Sequence, residues 1–230
     1  MSDLPEIPDP AVIIPLLFLF GMLPVGVVML TSYTKIVVVF SLLRNALGLQ
    51  QVPPPTVTNG LALVLTWYVM YPVGMEVMQL TQERQLQRGV NQTQAQERPL
   101  AGLGTLELVQ IAKEPLRAFL DKHVSDRERA FFADAARRLM PPENGSSVDT
   151  RDFVVLVPAF AVSQLTEAFV IGVLIALPFV VVDIVVANVL MALGMQMMSP
   201  AMISLPIKLL LFVVLDGWSR LAHALVLSYH

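Results

Sequence analysis

Cysteine is absent from all 230 residues, which excludes disulfides, thiolate metal sites and cysteine nucleophiles together. Charge is scarce as well. Asp, Glu, Lys and Arg make up 14% of the chain, against about 25% in an ordinary soluble domain. The net charge of −3 leaves no broad basic face for nucleic acid. Histidine occurs only at His123, His223 and His230; residues so scattered read as surface groups rather than as a metal site. His-Glu-x-x-His, Gly-x-Ser-x-Gly and the phosphate-cradling Gly-x4-Gly-Lys-Ser/Thr are all missing, so metalloprotease, serine-hydrolase and nucleotide-binding readings have no motif to rest on. No enzyme activity, cofactor or metal is expected.

What the chain has in abundance is apolar sequence: 55% hydrophobic residues and a mean hydropathy of +0.67, the signature of a membrane protein or of the buried core of an assembly. Residues 11–30 form an uncharged run of about the 20 residues a helix needs to cross hydrocarbon. Residues 1–10 hold Asp3, Glu6 and Asp9 and no Lys or Arg, unlike the positive start of a cleavable signal, so this run is expected to be retained. A second run covers residues 57–75. The long C-terminal stretch divides at Gly194 and Pro200 into a third segment, 153–193, and a fourth, 201–227. The third exceeds one span, which requires a kink at Pro158 or Pro178 or an extension beyond the lipid.

The fold class expected is an all-α membrane protein, with four hydrophobic segments arranged as two helical hairpins and a small polar helical domain between segments two and three. Its parts are an N-terminal hydrophobic hairpin (1–79), a polar, periplasmic helical domain (80–152) and a C-terminal hydrophobic hairpin (153–230). In residues 80–152, 11 Lys/Arg balance 11 Asp/Glu. Ser125 with Glu128 has capping-box spacing, and the helix after it sets Ala130, Phe131, Ala135 and Leu139 on one face before Pro141-Pro142. An earlier helix carries Leu106, Val109, Ile111 and Leu116, limited by Pro115. The Gln-rich stretch 82–99 reads as mobile. Lys35 and Arg44 in a loop at residues 31–56, against an N-terminus with acids only, put that loop on the cytoplasmic side and both termini and the polar domain outside.

Residues 153–227 contain only Glu167, Asp183, Lys208, Asp216 and Arg220 as charges. A midspan Asp or Lys costs about 2.5–3.5 kcal/mol, so each should face protein or water. Asp183 and Lys208 flank the Gly194–Pro200 turn at similar distances, and folding the segments together would pair them; Lys208 and Asp216 fall about two helical turns apart, on one face. Two readings stay open: structural ion pairs between packed helices, or a proton or ion relay. Five of the 12 methionines, Met191, Met195, Met197, Met198 and Met202, cluster at the same turn. By composition they are filler. Yet non-helical backbone at membrane depth persists only where protein buries it or it lines a cavity, and unbranched thioethers repack around changing shapes, so a deformable apolar constriction is the sharper reading.

Five ordered motifs then become specific: Thr31-Ser-Tyr-Thr-Lys35 with Ser41-Leu-Leu-Arg-Asn-Ala-Leu-Gly48; Leu177-Pro-Phe-Val-Val-Val-Asp183; Leu190-Met-Ala-Leu-Gly-Met195; Leu205-Pro-Ile-Lys-Leu-Leu-Leu-Phe212; and Asp216-Gly-Trp218. Across residues 31–60 and 153–227 the chain resembles the FliP/YscR (SctR) family of type III secretion export apparatus proteins. The resemblance implies a pentamer assembled in the bacterial inner membrane with FliQ/SctS-type and FliR/SctT-type subunits. Unfolded substrates would pass through it, and much of the complex would stand on the periplasmic side. It implies hairpins of inverted topology, with apolar segments buried by other subunits rather than by lipid. It also implies a pore gasket at Met195, Met197 and Met198, bracketed by Gly194 and Pro200, with Gln196 interrupting the run and Met191 and Met202 packing on the adjoining helices. The short acidic N-terminus and the sequence from Trp218 to Tyr229 favour the injectisome branch over the flagellar one. The alternatives are an ion or small-molecule transporter using Glu167, Asp183 and Lys208, and a structural scaffold whose pore a partner supplies.

Overall fold

The computed structural model describes residues 21, 25–26, 28–49, 53–91, 105–139, 148–195 and 197–229. Most of the first apolar run lies outside them, as do residues 92–99, Pro141, Pro142, Gln196 and His230. The described residues form α-helices joined by turns, with no strand among them. The helices are α1 (Tyr33–Ala46), α2 (Pro55–Asn91), α3 (Thr105–His123), α4 (Asp126–Leu139), α5 (Phe153–Ala192), α6 (Pro200–Val214) and α7 (Gly217–Leu227).

Helix α1 occupies the segment expected as a charged loop. Ile36, Val39, Phe40 and Leu43, all essentially inaccessible, recur at the three- and four-residue intervals of one helical face. That stripe outweighs the two charges that suggested a loop. It packs along α5 and α2, in a core completed by Ala62, Ala168, Phe179, Phe212, Leu221 and Leu225.

Helix α5 is the spine. At 40 residues it is about 60 Å long, twice the roughly 30 Å of a hydrocarbon core. It runs through Pro158 and Pro178 without ending, and α3 likewise continues through Pro115. Each proline removes one amide donor without ending the helix. Two helices, α2 and α5, are long and apolar enough to cross a membrane, or three if α6 and α7 make one bent span. In the single chain only 6% of the most apolar window of α2 and 17% of that of α5 are buried. A helix apolar on every side and left so open is solvated by lipid or by other protein.

Four further differences from the sequence expectation have local causes. The Gln-rich stretch stays helical as far as Asn91, as the continuation of α2. The fourth segment is two helices bent by 61°, because Asp216 adopts a left-handed conformation, φ 51°, just before Gly217. Lys208 and Asp216 therefore do not share a helix face. In α4 the buried residues are Ala133 and Ala136, which let the helix lie close against Val148 and Val155, whereas Phe131 and Leu139 are exposed. The Ser125 amide, which Glu128 would take in a capping box, is donated to Ser163 Oγ at 3.0 Å, docking the start of α4 onto α5.

Candidate functional site: the methionine turn and the charges behind it

The turn between α5 and α6 is closed by backbone geometry. Leu193 caps α5, and Gly194 follows with φ +72°, a conformation natural to glycine. The Met195 amide donates to Leu190 O and the Gly194 amide to Met191 O, each at 3.0 Å, the paired bonds of a Schellman motif. Pro200 opens α6 at its first position, where its missing donor costs nothing. Between these stops Met195 and Met198 are 42% and 43% exposed, and Met197 stands wholly clear of its own chain. Met191 and Met202, expected to pack, are also exposed. They lie on α5 and α6 but face away from the chain's own core.

Behind the turn, Lys208 on α6 is buried and donates to Asp183 Oδ2 on α5 at 2.6 Å and to Ala46 O, the last residue of α1, at 3.1 Å. A second pair crosses between α1 and α5, where Lys35 Nζ donates to Glu167 Oε2 at 2.7 Å and lies 4.7 Å from the centroid of the Tyr229 ring. Lys35 is therefore a buried charge on α1 and not a loop charge: its side chain is 2% exposed. Arg44 lies in the last turn of α1 and reaches Pro53 O at 3.5 Å. Asp216 makes no ion pair among the described residues and sits at the α6–α7 bend. Of the four residues expected as one charge network, the structure joins Asp183 with Lys208, gives Glu167 to Lys35, and leaves Asp216 apart.

A polar cluster that sequence reasoning missed surrounds Tyr229. Its hydroxyl donates to Gln164 Oε1 at 2.5 Å, Gln164 Nε2 donates to His123 O at 3.1 Å, and the His123 ring nitrogens lie 2.7 Å from Phe119 O and 3.3 Å from Tyr229 O. Burial pushes the Tyr229 phenol above its ordinary value, and the Glu167 charge adds to the shift. His123 is thus a packed tie between α3 and the end of the chain, not a free surface histidine. No group of three metal-ligating side chains occurs among the described residues.

The Asp183–Lys208 pair is asymmetric: the lysine side chain is 7% exposed and the aspartate 44%. Removing the acid strands a buried ammonium, whereas removing the base leaves a carboxylate that solvent or a neighbour can reach. Breaking a fully buried pair costs about 3–5 kcal/mol, and the half-exposed aspartate puts this one below that. Asp183→Ala should lower the amount of assembled protein in membranes clearly more than Lys208→Met, as blue-native electrophoresis would read. Equal losses would mean that the burial difference is irrelevant.

Fold and site together define an all-helical membrane protein with wide unburied apolar faces and a methionine-bearing turn closed by two helix ends, with a buried lysine behind it. The chain belongs to the FliP family, whose model matches residues 16–225. It is 48% identical over 210 residues to the hypersensitivity response secretion protein HrcR of Ralstonia nicotianae, covering 91% of this chain and 92% of that one. It is 46% identical over 225 residues to the Yop proteins translocation protein R of Yersinia pestis, covering 97% and 98%. It is 35% identical over 228 residues to the flagellar biosynthetic protein FliP of Bacillus subtilis, covering 99% and 96%. The protein is a component of the type III secretion and flagellar export class of apparatus, not an enzyme, and its stronger similarity is to secretion proteins of the virulence type.

Proposed function

We propose that this chain is the core pore subunit of a type III secretion export gate. Five copies, joined by FliQ/SctS-type and FliR/SctT-type subunits, surround a channel for unfolded substrates. Met195, Met197 and Met198 from each copy meet on the axis and exclude water and ions at rest. The observation that carries this reading is the turn itself, which is closed by a Schellman motif on one side and by Pro200 on the other and presents exposed methionines on the end of two apolar helices. Met197, free of its own chain, is placed to meet another. Methionine suits the task because it seals against varied sequences without a fixed partner.

In this reading the apolar faces of α2 and α5 are covered largely by neighbouring subunits. The two inverted hairpins form the channel wall, residues 80–152 lie on the periplasmic side, and the complex is seated in the inner membrane. The length of α5, about twice a bilayer core, supports burial by protein over part of its course. An ion relay through Glu167, Asp183 and Lys208 is disfavoured. The two acids are separated along α5 by about 24 Å, and each is engaged with its own lysine.

The absence of native cysteine gives a clean test. Single cysteines at positions 195, 197 and 198 should crosslink to a substrate arrested in the assembled apparatus, most strongly at 197. An assembled complex with no crosslink at any of the three would remove the gasket assignment.

A further inference from the structure

Helix α1 ends as α5 does. Ala46-Leu47-Gly48 repeats Ala192-Leu193-Gly194, Gly48 has φ +78°, and the amides of Gly48 and Leu49 donate to Asn45 O and Arg44 O at 3.0 Å. A helix C-terminus leaves four carbonyls without intrahelical donors. The Schellman bonds take those of Arg44 and Asn45. The carbonyl of Ala46, next in line, receives the Lys208 ammonium at 3.1 Å. A cation is favoured there a second time, because the aligned peptide dipoles put partial negative charge at a helix C-terminus.

We infer that Lys208 is a helix cap supplied in trans by α6, and that this cap sets the depth of the methionine turn relative to α1. The inference rests on the gasket reading and adds a positioning residue to it. Lys208 lies eight residues into α6, about 12 Å from Pro200 along the axis, and Asp183 lies about 16 Å before Gly194 on α5. Both arms of the turn are thereby gripped behind it at one point, and that point is the end of a third helix. Asp183 orients the ammonium; Ala46 O tells it where α1 ends. Without the cap, α5 and α6 still pack against each other, but among the described residues the ion pair left between these helices and α1 is Lys35–Glu167, about 40 Å from the turn along α5.

The two contacts of Lys208 are separable. Lys208→Met removes both and strands no buried cation. Asp183→Asn keeps an acceptor beside the ammonium and leaves the bond to Ala46 in place. Two readouts are taken on the full apparatus in membranes: resting ion leak per assembled complex, and the distance between spin labels on single cysteines replacing Asn45, which is exposed, and Met197. Lys208→Met should raise the leak several-fold and broaden the label distance distribution, while Asp183→Asn, whatever its abundance, should match wild type in both. A Lys208→Met complex with wild-type leak and distance overturns the inference. So does an Asp183→Asn complex that leaks and broadens to the same degree, because the pair and not the cap would then set the turn. Met197→Asn is the control on the underlying reading. If it does not leak, the gasket assignment fails on its own, and the label distances alone then decide whether Lys208 registers the turn.

Discussion

Glu167→Ala should collapse the amount of folded, assembled protein, and adding Lys35→Met should bring most of it back. The Lys35 side chain is 2% exposed and, among the described residues, has one carboxylate within reach, at 2.7 Å. Its other neighbour is the face of Tyr229, and a cation–π contact contributes about 0.5–2 kcal/mol, too little to replace water around an ammonium. Lys208 differs, since it would keep the Ala46 carbonyl if its acid were lost. Loss of Glu167 therefore leaves the more isolated cation and should be the costlier of the two acid deletions, about 2–4 kcal/mol once the half-exposure of Glu167 is allowed for. Lys35→Met alone should be milder, because Glu167 keeps access to water or to a neighbouring subunit. The measurement is the assembled fraction and thermal stability of the purified complex for the two single variants and the double. A double variant no better than Glu167→Ala would show that the damage comes from lost packing at α5 and not from a stranded charge.

The two charged pairs also show which parts of this molecule a single sequence discloses. Asp183 and Lys208 stand at similar distances on either side of a Gly/Pro break, so folding the chain at that break brings them together, and they lie 2.6 Å apart. Nothing comparable points Lys35 to Glu167, 132 residues away. Finding that partner requires knowing that α1 lies along α5. The evidence for α1 was nevertheless present, in the three- and four-residue spacing of Ile36, Val39, Phe40 and Leu43. Two flanking charges made it read as a loop, although one of them is buried. The bend at Asp216 likewise had a local signal, since Asp-Gly is a turn-forming pair, but it was hidden within an apolar run long enough for a span. In α4 the spacing of Ala130, Phe131, Ala135 and Leu139 points to one face, whereas the close approach to α5 selects the face of Ala133 and Ala136. The methionine turn was legible because its stops, Gly194 and Pro200, are chemical requirements of the backbone itself. The Tyr229 cluster was not, because it gathers residues from α3, α5 and the chain end that only tertiary packing relates.

Gly172→Ala should loosen the contact between α1 and α5 and lower assembly, and Gly172→Val should abolish it. Gly172 lies on α5 between Glu167 and Asp183. A Cβ there would overlap Leu42 Cδ1 and fall 2.9 Å from Leu42 Cβ and 3.1 Å from Leu42 Cγ. The tip of a leucine can rotate away, but its Cβ moves only with the backbone. That backbone is pinned at one end by the Lys35–Glu167 pair and at the other by the bond from Lys208 to Ala46 O. An added methyl therefore cannot be relieved by sliding α1; it must lift the helix and stretch both ties. Overpacking of this kind costs about 1–3 kcal/mol, and alanine recovers up to about 1 kcal/mol of that through its better helix propensity. The alanine variant should be weakened but detectable, and the β-branched valine, with two more carbons aimed at α1, should not assemble. Leu42→Ala supplies the decisive comparison. It removes Cγ and Cδ1, two of the three atoms a Gly172→Ala methyl meets, and keeps only the Cβ contact at 2.9 Å, so α1 has to be lifted less far. The Leu42→Ala/Gly172→Ala double should therefore assemble better than Gly172→Ala alone, whereas Leu42→Ala should not rescue Gly172→Val. If Leu42→Ala instead worsens the alanine variant, the close approach of α1 to α5 is not what glycine at position 172 provides.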